Sequence, residues 1–256
     1  MARVSMAGDE RIPAWALLKT HRTVPKKPMT PQSILSLKNL WIIGAGGHGR
    51  DIYSMSHSAR GNGLEWHVAG FLNDIADALE GFSGYPSIGG DTEYLPGEDD
   101  RFICAIGDIN GRKKVCEKFQ ARGARFINMI QESAALSPCA RLGAGIVMEA
   151  FSGVGADACV DDFTTILFHA MVAHDATVGR FCQLSPFAAV LGHAKLGDEV
   201  AVGAHAVVLP RVKVGARATI GPGSVVTEDV PEGATVAGTP ATVVKAVPAL
   251  RNQGRN

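Results

Sequence analysis

His174 and Asp175 are the neighbouring residues of this chain whose types suit acid–base chemistry best. A carboxylate beside an imidazole raises its basicity and fixes its tautomer, both of which a general base requires. Eighteen positions away on either side of His174 lie Ala156 and Gly192, and on either side of Asp175 lie Asp157 and His193. If 18 residues is a stacking distance, small neighbours leave space for a ligand beside the His174 ring. The same spacing places Asp157, Asp175, His193 and Arg211 in one polar ladder. A solvated surface ladder without chemistry has the same composition, so residue type alone leaves both readings open.

Two other sets of residues could do chemistry. His169, His174 and His205 could supply three imidazoles to zinc across a subunit boundary, although Phe187 interrupts the His169 column and argues against a metal. Gly44-x-Gly46-x-x-Gly49 fits a phosphate-binding turn, in which glycines let backbone amides approach a phosphate at a helix N-terminus. Gly47 and His48 lie within that turn. Asp74, at the end of a following apolar run, stands where an acidic side chain could meet a ribose or base.

Those residues need elements to position them, and the second half of the chain is periodic. From Leu136, steps of six residues reach Val226 through sixteen positions that are all aliphatic. With apolar residues at 46% of the chain, chance would give such a run about once in 10⁵. Glycine commonly follows the aliphatic residue, as at Gly143, Gly155, Gly179, Gly197 and Gly203, and a small residue commonly stands two before it. This hexapeptide pattern predicts a left-handed parallel β-helix of three hexapeptides per triangular coil, with residues 18 apart stacked about 4.8 Å apart. The glycines are expected to relax the backbone at the corners.

The front of the chain reads differently. Apolar runs at Leu40–Ile43, Val68–Leu72 and Phe102–Ile106 alternate with helical stretches, one running to Arg60 and one over 111–122, which predicts a small parallel α/β sheet of Rossmann-like type. The expected organisation is an N-terminal extension over 1–38, with a short helix around Ala14–Lys19, a nucleotide-binding domain over 39–130, a β-helix domain over 131–246 and a frayed tail over 247–256. Lys plus Arg equals Asp plus Glu at 25 each, which removes the electrostatic case for nucleic acid. No apolar run approaches the roughly 20 residues of a membrane span, and no signal-peptide pattern opens the chain. Five cysteines without a C-x-x-C pair suit a reduced, cytoplasmic protein.

The segments Ile42–Gly49, Ala105–Asp108 with Arg112, Val172–Asp175 and Ala237–Ala241 together resemble the sugar acetyltransferases of the sialic-acid O-acetyltransferase and bacillosamine/perosamine N-acetyltransferase group. The resemblance covers about residues 39–246. It implies a homotrimer with active sites between neighbouring β-helices, a nucleotide-linked sugar held by the front domain, and acetyl-CoA lying along the β-helix. It implies further that His174 is the base and Asp175 its acidic partner. Gly44, Gly46, Gly47, His48 and Asp74 fall on the nucleotide segment, and Gln183, Gly192 and Ala204 on the coenzyme A side. Two positions depart from the group: Leu167 replaces an Asn common seven residues before the catalytic His, and Gln183 replaces a His that touches the pantetheine arm in one relative. The reaction expected is N-acetylation of a UDP- or GDP-linked 4-amino sugar, with no resident metal. Sugar O-acetylation, a zinc-dependent β-helix hydratase and a non-catalytic trimeric scaffold are the alternatives.

Overall fold

The computed structural model describes residues 37–244 apart from 62 and 64. The short helix expected around Ala14–Lys19 and the tail after Lys245 lie outside the described residues.

A four-stranded parallel sheet comes first. Its strands are β1 (Lys38–Ile43), β2 (Trp66–Leu72), β3 (Ile88–Gly90) and β4 (Asp100–Cys104), in the order β3-β2-β1-β4. Helix α1 (Gly47–Ser56) follows β1 and α2 (Ile109–Ala121) follows β4. The chain therefore moves outward from β1 to β3 and then returns to the other side of β1. The crevice beyond the carboxyl ends of β1 and β4 is the switch point at which open α/β sheets bind ligands. β3 was not visible in the sequence, because three residues carry no periodicity. The third expected strand sits two residues earlier than its apolar run. α1 ends at Ser56 instead of Arg60: the Ser54, Ser56 and Ser58 hydroxyls donate to the carbonyls of Arg50, Tyr53 and Met55, offering the backbone an alternative to further helix.

The periodic segment forms a left-handed parallel β-helix with two-residue strands and an 18-residue register that shortens to 16 at its last step. The first face begins with Met129–Ile130 and continues through Val147–Met148, Thr165–Ile166, Gln183–Leu184, Ala201–Val202 and Thr219–Ile220. The second runs from Ala135–Leu136 through Met171–Val172 to Val225–Val226, and the third from Arg141–Leu142 through Thr177–Val178 to Lys213–Val214. A hairpin of Thr235–Gly238 and Ala241–Val243 closes the last coil on the first face. The aliphatic column and the small residues two before it are both interior; Ile166, Val172, Ala170 and Ala176 have no exposed surface.

The corner glycines play a different part from the one expected. The left-handed conformation at each corner belongs to the third residue after the aliphatic one, and twelve non-glycine residues adopt it, Asp157, His169, Asp175 and His193 among them, with φ between 56° and 66°. Each of these four except Asp157 donates its N–H to a carbonyl of the coil before, His193 to the His174 carbonyl at 3.1 Å for example, which offsets the cost of that conformation. The glycine after the aliphatic residue is needed for close approach. A Cβ on Gly155 would lie 2.8 Å from the His174 amide nitrogen, and one on Gly203 2.5 Å from that of Pro222.

Two contacts anchor the α/β sheet to the β-helix. Phe163 and Phe181, stacked at 5.0 Å on the corner between the third and first faces, share a cluster with Phe102, Phe119 and Phe126. The buried Arg112 of α2 donates to the carbonyls of Phe181 at 3.0 Å and Cys182 at 3.2 Å.

Candidate functional site

His174 and Asp175 sit on the corner between the second and third faces. His174 Nδ1 lies 2.8 Å from Asp175 Oδ2, and His193 Nε2, one coil on, lies 3.7 Å from the same oxygen. The two imidazole rings meet edge to face at 5.4 Å. All three side chains are exposed, and the hydrogen bond from His174 holds the Asp175 carboxyl below the usual carboxylate range. A carboxylate on Nδ1 favours the tautomer that leaves Nε2 free to take a proton. The space expected beside the ring is partly taken by the ring itself: a Cβ at Gly192 would lie 2.8–2.9 Å from His174 Cε1 and Nε2. Gly192 therefore lets the imidazole lie against the neighbouring coil.

A groove of about 770 Å³ runs along the second face, lined by Arg60, Ala135, Gly153, Met171 and, at its edge, His174. The outward positions of this face are Ala135, Gly153, Met171, Ala189, Val207 and Val225, all apolar. The corresponding positions of the third face include Arg141, Thr177, Lys195 and Lys213.

Within one chain, His169, His174 and His205 do not come together as a metal site. His169 and His205 sandwich the Phe187 ring at 4.7 and 4.6 Å, nearly parallel, so a phenyl group separates the imidazoles. The group of three ligand-type side chains that converges among the described residues is instead His174, Asp175 and His193.

The glycine-rich turn lies at the switch point. Gly44 has a left-handed φ of 102°, and a Cβ on Gly49 would overlap the Gly44 carbonyl at 2.0 Å, so the fold itself requires both glycines. Gly46 and Gly47 are exposed with open space where side chains would stand. Packing gives them no reason to be glycine, whereas a ligand approaching the N-terminus of α1 would. Asn73 Oδ1 accepts the Ala45 amide at 3.2 Å and so orders the turn. Asp74 is exposed and accepts the Thr92 amide at 2.9 Å, the bond that lowers its pKa.

His48, in the first turn of α1, faces a residue that sequence reasoning missed. Glu149 stands on the β-helix corner between the first and second faces, its side chain only 4% exposed, with Oε1 3.8 Å from His48 Nδ1. Its Oε2 accepts the Phe168 amide at 3.0 Å. Burial pushes the Glu149 carboxyl up to about 7 and, with Arg112 nearby, pulls His48 below its usual range. Only the three-dimensional crossing of the two domains could have revealed this pair, since 101 residues separate its members.

The three coenzyme-side residues do not converge in one chain. Gln183 lies on the first face within 3.4 Å of Arg112, in a second groove with Asp108 and Glu199. Ala204 lies on the corner between the first and second faces, and Gly192 beside His174 on the corner between the second and third.

Residues 39–119 match the PglD N-terminal domain, and residues 193–228 match the six-repeat bacterial transferase hexapeptide. The acetyltransferase domain of PglB from Neisseria gonorrhoeae is 30% identical with a TM-score of 0.75, over 81% of this chain and 100% of that one. The chain belongs to the PglD-type family of left-handed β-helix acyltransferases. A second structure of that PglB domain contains acetyl coenzyme A. PerB from Caulobacter crescentus, 31% identical with a TM-score of 0.73 over 81% of this chain and 97% of that one, is in complex with CoA and GDP-perosamine. UDP-N-acetylbacillosamine N-acetyltransferase from Bacillus subtilis is 30% identical over 118 residues, a stretch spanning about half of that relative's length (52%) and 44% of this chain. Among the described residues no helix is long and apolar enough to cross a membrane.

Proposed function

We propose that this chain is an acetyl-CoA-dependent N-acetyltransferase acting on the amino group of a nucleotide-linked sugar, in the cytoplasm. The observation that carries the reading is the His174–Asp175 pair at the edge of the second-face groove, in a chain matching the acetyltransferase domain of PglB and the PerB chain over nearly their whole lengths. The nucleotide half sits at the switch point of residues 39–130, with Gly44, Gly46, Gly47, His48 and Asp74 facing the ligand. The acyl half belongs to 131–246.

The amine attacks the thioester carbonyl while His174 Nε2 takes the amine proton. Asp175 holds Nδ1–H and stabilises the imidazolium. A backbone N–H of the β-helix wall stabilises the oxyanion. Collapse of the tetrahedral intermediate breaks the C–S bond, and the imidazolium proton leaves with the sulfur as coenzyme A thiol. No covalent acyl-enzyme is required, since Cys182, interior and fully buried, cannot reach substrate.

The active unit is a homotrimer. Gln183 and Ala204 lie away from Gly192 and His174 on each chain, so a coenzyme touching all of them lies between two copies. The uniformly apolar second face is the surface such a copy would cover.

The test is release of free coenzyme A from acetyl-CoA with UDP-, GDP- and dTDP-linked 4-amino sugars. Release with one of them names both the nucleotide and the acceptor. Release only with a hydroxyl acceptor of sialic-acid type would move the reading to O-acetylation. Binding without release from any acceptor would reduce the protein to a scaffold.

A further inference from the structure

Glu149 has no place in the mechanism above, yet it is a nearly inaccessible carboxyl on a β-helix corner facing the nucleotide turn. Its two oxygens are used unequally. Oε2 is fixed by the Phe168 amide, whereas Oε1 faces His48 Nδ1 at 3.8 Å, within ion-pair range and short of a hydrogen bond. The ring of His48 is one-fifth exposed and belongs to the first turn of α1, between the open Gly47 and the buried Gly49. Glu149 thus cannot reach a ligand on the turn, and His48 can.

We propose that Glu149 is a positioning residue for the nucleotide turn: its carboxyl group decides which ring nitrogen of His48 carries the proton, and so whether the turn offers a ligand phosphate an N–H donor or a lone pair. The inference rests on the reading of Gly44–Gly49 as a nucleotide site. An ionised Glu149 draws the proton to Nδ1 and leaves the lone pair of Nε2 outward. A neutral Glu149 points its own O–H at Nδ1, which places the proton on Nε2, aimed at the phosphate. The carboxyl titrates near neutrality because it is buried, so both arrangements are populated within the range in which enzymes work. The other charged groups acting on the pair are Asp51, one turn further along α1, which raises both members, and Arg112 of α2, which lowers His48. From the β-helix, the Phe168 amide faces Glu149.

Two readouts test this. The ring ¹⁵N shifts of His48, assigned with a His48→Gln variant, should change from the Nε2–H to the Nδ1–H pattern between about pH 5.5 and 8.5, and Glu149→Gln should abolish that change. Affinity for UDP, GDP or dTDP, whichever binds, should fall about tenfold more steeply over the same range in the wild type than in Glu149→Gln, the variant subtracting the phosphate's own titration. A His48 tautomer that stays the same in the wild type, or a Glu149→Gln protein that tracks the wild type, overturns the proposal. If none of the three diphosphates binds, the nucleotide reading fails by itself, while the ring spectrum still decides the role of Glu149.

Discussion

Among the described residues, the histidine–carboxylate pairs His174–Asp175 and His48–Glu149 are built in opposite ways. At the β-helix corner, His174 and Asp175 are exposed and joined at 2.8 Å, and the carboxyl is held in its ionised form. At the domain junction, His48 and Glu149 are largely buried, 3.8 Å apart, and burial drives both toward their neutral forms. Desolvation penalises charge on either partner, whereas a hydrogen bond in water-accessible surroundings favours the carboxylate. The exposed pair suits a base that must gain and lose a proton on every turnover. The buried pair suits a fixed contact whose protonation is set by pH.

Removing His174 should break the comparison most decisively. General-base catalysis is worth about 10²–10⁴ in rate, so His174→Ala should lower turnover by that factor while leaving nucleotide affinity unchanged, as calorimetric titration would show. Near-wild-type turnover would mean that the exposed pair is only a surface ladder.

The second effect is thermodynamic and belongs to the buried pair. Glu149 has its folded pKa raised to about 7 from 4.5. Its stabilising contribution is therefore complete below about pH 4.5 and is lost as pH rises through 7, amounting to about 3 kcal/mol. His48 runs the other way: its folded pKa is lowered, so its contribution is present above its unfolded value and lost as pH falls. The difference in unfolding free energy between wild type and Glu149→Gln, measured by denaturant titration, isolates the carboxyl. It should shift in favour of the variant by about that amount from pH 4.5 to 8. A difference independent of pH would show that folding leaves the carboxyl's pKa unshifted.

The two pairs also differ in how far the sequence discloses them. The hexapeptide register places Asp175 between Asp157 and His193 and puts Gly192 beside His174, because an 18-residue coil turns spacing directly into neighbourhood. It does not say which corner residue adopts the left-handed conformation. That position accepts Phe, His, Asp, Glu and Arg alike, since inter-coil hydrogen bonds compensate for it. The α/β domain has no such register. Gly44 and Gly49 are legible as a turn, but the three-residue strand β3 carries no periodicity, and the approach of Glu149 to His48 depends on how α2, Arg112 and the Phe163–Phe181 column dock the domain. Register alone is not contact: the 18-residue rule brings His169 and His205 into one column, and the intervening Phe187 ring keeps the two imidazoles apart within the chain.

Gly192 allows a finer test of the exposed pair. A methyl group there would lie 2.8–2.9 Å from two atoms of the His174 ring, too close for contact, although the ring is the movable end of a side chain. The backbone φ at Gly192 is not left-handed, so alanine itself is tolerated and the coil should keep its stability. The imidazole must instead swing away, taking Nε2 with it and lengthening the 2.8 Å bond to Asp175. A displacement of about 1 Å at a reacting group costs up to about 10² in rate, so Gly192→Ala should lower turnover about 10- to 100-fold, with melting temperature and nucleotide affinity unchanged. If coenzyme A also packs against Gly192, the KM for acetyl-CoA will rise as well. A fall in turnover at unchanged KM would show that the glycine serves the ring, whereas a rise in KM at unchanged turnover would show that it serves only the coenzyme.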